Sequence, residues 1–139
     1  MNWVERHFTF DRGIKATWTS FKTDLESAAK SFEKHYCSPS YAEIFIDPKI
    51  DWCITITHKP VSGVPERTIQ VCLDEKGRRI FSRVGGAEGA AVYLGSDENG
   101  NPVLLDGAGE SLTNDMASMV LLEQFFFPGS ASLRLVGSN

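Results

Sequence analysis

Apolar residues recur at Ile14, Trp18, Phe21, Leu25, Ala28, Phe32 and Tyr36, in alternating steps of four and three that close on a four. That spacing lines one face of an α-helix, so a helix is predicted over residues 12–36. Asp11 stands ready as its N-cap, and Lys22, Glu26 and Lys30 follow one another at four-residue spacing on the polar side. Cys37-Ser38-Pro39 ends the element, because a residue before proline avoids helical geometry.

Beyond Pro39 the period falls to two. Ala42, Ile44 and Ile46 share one face of a strand over 41–47. Trp52, Ile54, Ile56 and His58 share a face of the next, over 50–58, with Cys53, Thr55 and Thr57 opposite. Further strands are predicted at 67–73 and 79–84 around Asp74-Glu75-Lys76-Gly77, whose glycine suits a left-handed turn position. Gly85 to Gly89 reads as a flexible join. Strands over 90–94 and 103–106 flank Asn99-Gly100, a pair favoured where both central turn residues need positive φ.

Thr113 or Ser111 caps a second helix with Met116, Met119, Val120, Leu122 and Phe126 inward; Pro128-Gly129 stops it before a strand at 132–136. Phe125-Phe126-Phe127 at its end reads as a core plug. Trp3 to Phe10 also alternates, which predicts an additional N-terminal strand. Burying both helical stripes then calls for a single α+β domain over 1–139. It is an antiparallel sheet of about six or more strands, covered on one face by the long N-terminal helix and the C-terminal helix.

The chain has 139 residues and a formal net charge of −4, a sign that argues against general nucleic-acid binding. The distribution is more informative than the total. Residues 84–133 hold seven acids, Glu88, Asp97, Glu98, Asp106, Glu110, Asp115 and Glu123, and no Lys or Arg. Arg67, Lys76, Arg78, Arg79 and Arg83 gather in the preceding hairpin, diluted by Glu66, Asp74 and Glu75. No apolar run approaches the roughly 18 residues of a membrane span, and Met1 to His7 lack the order of a signal peptide, so a cytoplasmic protein is expected. Three cysteines, Cys37, Cys53 and Cys72, then read as reduced, packed thiols and not as a disulfide framework or zinc site.

Candidate chemistry is thin. His7, His35 and His58 are scattered, and no nucleophile motif accompanies them. His7-Phe8-Thr9-Phe10 matches one copy of the His-apolar-Thr-apolar element of two-histidine phosphoesterases, but His58 is followed by Lys59-Pro60, so the second copy is missing. Asp97, Asn99 and Asn101 have calcium-loop spacing, yet Pro102 stands where glycine is needed. The expectation is therefore no catalytic residue, no metal and no cofactor.

The order of elements over residues 14–136 resembles an immunity protein family of bacterial polymorphic toxin systems, often encoded beside deaminase-type toxins. The likeness is carried by the amphipathic helix before a run of strands, the Ile69-Gln-Val71-Cys-Leu73-Asp74-Glu-Lys-Gly77 hairpin and Val92-Tyr93-Leu94-Gly95. Val103-Leu104-Leu105, the second helix and a last strand after Pro128-Gly129 complete it. All three tryptophans, Trp3, Trp18 and Trp52, lie in the first half, a departure from the family's later tryptophans. The resemblance implies a non-catalytic inhibitor of one cognate toxin. In this chain the acid-only segment would meet a basic toxin surface through Asp97, Glu98, Asp106 and Glu110, with Tyr93 as aromatic anchor. Neither nucleic acid nor membrane is expected as a partner. A chaperone or adaptor for another protein is the alternative, and an enzyme such as a phosphoesterase a further one.

Overall fold

A computed structural model describes residues 2–37, 42–49, 51–60 and 63–129. It is α+β. Helix α1 spans Trp3–Tyr36, strands β1 to β7 span Ala42–Asp47, Cys53–Pro60, Arg67–Asp74, Arg79–Val84, Ala87–Ser96, Pro102–Leu105 and Ser111–Leu112, and helix α2 spans Asn114–Phe126. The strands form one antiparallel sheet in the order β1-β2-β3-β4-β5-β6-β7, each pairing with its sequence neighbour. The strand expected at 132–136 lies outside the described residues. No helix among the described residues is long and apolar enough to cross a membrane.

The predicted stripe packs inward from Ile14 to Phe32, with Ala29 in place of Ala28 as the fully buried alanine, while Tyr36 at its end is exposed. Ile14, Trp18, Phe21, Leu25 and Phe32 join Ile54, Ile56, Ile69, Val71, Leu73, Ile80, Val92 and Leu104 of the sheet and Leu121, Leu122, Phe125 and Phe126 of α2 in one core. Trp18 is 4% exposed and its indole Nε1 donates to the Asp51 carbonyl at 2.5 Å, tying α1 to the β1–β2 turn. Phe126 stacks on Phe32 at 4.3 Å, and Phe127 meets Phe32 and Tyr36 edge-on, so the triple phenylalanine plugs the gap between the helices.

Several expectations are corrected. There is no strand over Trp3 to Phe10: α1 begins at Trp3, capped not by Asp11 but by Asn2, whose side-chain oxygen accepts from the Glu5 N–H at 2.8 Å. Helix α2 turns a different face inward, with Ala117, Ser118, Leu121, Leu122, Phe125 and Phe126 buried and Met116 and Val120 exposed. Its cap is Thr113, which accepts from the Met116 N–H. Trp52 precedes β2 and is exposed.

Turns differ too. Gly85-Gly86 is not a flexible join but a two-residue turn, both glycines at positive φ (60° and 80°), and β5 starts directly after it. In the Asn99-Gly100 loop only Gly100 has positive φ, while in the β3–β4 turn the left-handed residue is Arg78 (φ 51°), not Gly77. Cys53 and Cys72 are not free thiols: they stand directly opposite in β2 and β3 and form a disulfide.

Candidate interaction surface

One face of the sheet carries the helices, and the other is open. Cross-strand register assigns the open face, since paired residues of an antiparallel ladder point the same way. Cys53, Cys72, Phe81 and Ala91 make a small apolar floor there, separate from the main core. Arg79 and Arg83 flank Phe81 on its own strand and lay their guanidinium groups over its ring, at 4.7 and 5.5 Å from the centroid. Thr57 and Thr68 hydroxyls meet across the neighbouring strands at 3.1 Å.

Arg79 is fixed from two sides. Its Nε reaches Asp74 at 3.3 Å and its Nη atoms grip the Glu88 carboxylate. Asp74 in turn is held below its ordinary carboxylate range, first by the Gly77 N–H that it accepts at 2.9 Å and also by Arg79. Among the described residues no carboxylate pairs with Arg83. Tyr93 stands opposite Arg79 on β4 and Leu105 on β6, and remains 42% exposed. Gly95, two residues on, makes room for Leu105, whose methyl would lie 2.5 Å from a Cβ at that position. The result is a patch in which two carboxylates hold Arg79, both arginines cover Phe81, and Tyr93 stands exposed beside them.

The acids expected to bind are divided by the fold. Asp97 and Asp106 are half-buried and turn inward to their own loops: Asp97 Oδ1 accepts from the Asn99 and Asn101 N–H groups, and Asp106 Oδ1 from those of Ala108 and Glu110. Each is an Asx-type turn former, which explains why the loops close without help and why the calcium-like spacing is a hairpin. Glu98 and Glu110 are exposed. The two loops sit at opposite ends of β6, so the acids form two clusters about 13 Å apart along the strand, not one surface. Glu88, also in the acid-only segment, is neutralised by Arg79.

Sequence reasoning placed Tyr93, Arg79, Phe81 and Arg83 on neighbouring strands but missed that they share the open face with a disulfide. The predicted strands over 50–58 and 67–73 carry that signal, because Cys53 and Cys72 lie equally far from the middle of the connection 59–66 between them and so stand opposite once an antiparallel hairpin is assumed.

The histidines are not brought together. His7 and Thr9 sit on α1, where residues two apart point about 200° away from each other, so the strand geometry of a His-x-Thr element does not form. His7 Nδ1 meets Arg78 at 2.9 Å, whereas His58 lies against Phe32 and Arg67, about 37 Å further along α1. Among the described residues no group of three or more His, Cys, Asp or Glu is placed to hold a metal ion.

Burial, and then the Arg67 charge, depress the His58 pKa below its ordinary 6.5. The folded state thus disfavours the proton that the unfolded chain accepts. Stability is expected to be level above about pH 6.5 and to fall as pH drops below it, until the folded group also titrates. His58→Gln should flatten that part of a pH series of urea midpoints, and an unchanged slope would remove His58 as its source.

Comparison with family models, with curated proteins and with solved structures finds no match.

Proposed function

We propose that the chain is a non-catalytic, cytoplasmic protein-binding protein of the toxin-neutralising immunity kind, whose partner seats on the open sheet face around Tyr93. What supports this reading most is exposed Tyr93 beside Arg79, which two carboxylates hold in place, and Arg83, with buried Phe81 as their floor. Aromatic and arginine side chains dominate the energetics of protein interfaces, and side chains held in place beforehand lose little entropy on binding. Glu98 and Glu110, exposed at either end of β6, add negative flanks suited to basic groups of a toxin, whereas Arg83, with no carboxylate partner among the described residues, calls for an acidic group of the toxin opposite it. Asp97 and Asp106 contribute by shaping those loops.

The test is co-production with the protein encoded by the gene immediately upstream, reading bacterial growth and the affinity of the purified pair. Tyr93→Ala should weaken binding by roughly 30-fold, the loss typical of a central anchor. Glu98→Lys should instead slow association at low salt and leave dissociation nearly unchanged. Wild-type affinity and on-rate in both variants would refute this placement of the interface, and unrelieved toxicity would refute the immunity reading.

A further inference from the structure

We propose that the edge of β1, which pairs with no further strand among the described residues, docks an extended, basic segment of another protein in the groove between β1 and α1. The two edges of the sheet are not alike. β7, at one side, has only two residues, whereas β1, at the other, pairs with β2 over six residues in unbroken register. Natural sheets blunt their outer strands with short length, bulges, Lys or Pro. Ala-Glu-Ile-Phe-Ile-Asp, the whole of β1, has none of these.

The N–H groups of that edge face outward at regular intervals, and an incoming strand would have to take the place of Glu33 at the central one. Ile44 N–H donates to the Glu33 carboxylate at 3.1 Å, outside the β1–β2 ladder, and so points away from β2. By strand alternation the N–H groups of Ala42 and Ile46 point the same way. Glu33 is an exposed side chain standing where the carbonyl of an added strand would sit. Beside it runs a groove of about 320 Å³, walled by Glu26, Ala29, Lys30 and Glu33 of α1 and by Ile44, Ile46 and Pro48. A helix beside an open strand edge is the setting in which extended peptides add by β-augmentation.

Charge selects the occupant. An added strand would alternate its side chains between the α1 wall, with Glu26 and Glu33 against Lys30, and the open face, with Glu43 and Asp47 against Lys59. Lys59 is already engaged over the Phe45 ring at 4.6 Å. Both walls are net acidic, which favours Lys or Arg on the incoming strand. A second copy of this chain, paired edge to edge about Ile44, would set Glu33 against its equivalent and is disfavoured. This site does not depend on the reading above: Tyr93 lies four strands away, about 19 Å across the sheet.

Two blocked hexapeptides, one alternating Lys with Val and one alternating Glu with Val, would be titrated into the isotope-labelled full-length protein and followed by NMR. The Lys peptide should shift the amides of Ala42, Ile44 and Ile46, slow their hydrogen exchange, and bind at least tenfold more tightly than the Glu peptide. Glu26→Gln with Glu33→Gln retains an acceptor at Ile44 and should weaken the Lys peptide fivefold or more. Equal affinities, no shift at these amides, or an unaffected double variant would overturn the proposal. So would protection of the Ala42 and Ile46 amides without peptide: if it rises with protein concentration a second copy holds the edge, and if it does not the chain covers its own edge. Tyr93→Ala should leave this binding unchanged.

Discussion

Replacing Trp18 with alanine should lower the unfolding free energy by roughly 3–5 kcal/mol and the melting temperature by about 10 °C or more. The side chain is 4% exposed, lies beside Phe21, and spends its one polar atom on the Asp51 carbonyl. Its loss therefore opens a cavity in the core and leaves the Asp51 carbonyl to the Lys22 ammonium alone, at 3.2 Å. Trp18→Phe keeps one aromatic ring but loses the indole N–H together with the second ring, so its cost should fall between that of the hydrogen bond alone, about 1 kcal/mol, and that of Trp18→Ala. Urea unfolding followed by circular dichroism reads both variants. A cost below 1 kcal/mol for Trp18→Ala would show that α1 is not seated on the sheet at this residue.

The second large effect concerns Cys53 and Cys72. Closing a loop of 19 residues restricts the unfolded chain enough to contribute about 3 kcal/mol. Reductant should shift the urea midpoint of the wild-type protein accordingly and have no effect on the Cys53→Ala, Cys72→Ala double variant. An unmoved wild-type midpoint would mean that the bond adds nothing to stability. In a reducing cytoplasm the pair would be carried as thiols. The chain would then rest on its core alone, with the Phe81 floor less firmly held.

The stripe from Ile14 to Phe32 was legible because bulky apolar residues recur at every fourth or third position among polar residues and alanines, so period and phase are fixed except at the adjacent Ala28 and Ala29. In α2 the same reasoning found the element and left its cap between Thr113 and Ser111, but it did not find the inward face. Met116, Ala117, Met119, Val120, Leu121 and Leu122 are apolar nearly all round, and with no polar side the phase is undetermined. The first two turns of α1 misled for a related reason. Trp3, Val4 and Phe8 are exposed there, so no buried stripe marks the helix, and Asn2 with Glu5 three residues later was the only start signal. Within the site, Tyr93 stood out as a candidate aromatic anchor, but its outward direction comes from the pairing with Arg79 and Leu105 and not from the sequence. The inward turn of Asp97 and Asp106 was not legible either, because a carboxylate in an acidic segment looks the same in sequence whether it faces solvent or its own backbone.

The order of elements has a consequence for synthesis. Each strand finds its partner in the next segment to be made, but α1 must wait for α2, which begins about eighty residues later. Asn114 at the start of α2 donates to Asp24 of α1 at 2.7 Å, and Phe126 stacks on Phe32, so that late helix completes the cover of the earliest one. At roughly 5–20 residues per second the ribosome leaves this side of the α1 stripe without its helical partner for about 4 to 16 s. Substitutions that weaken α2 should therefore reduce the yield of folded protein in cells more than their effect on the finished fold would suggest.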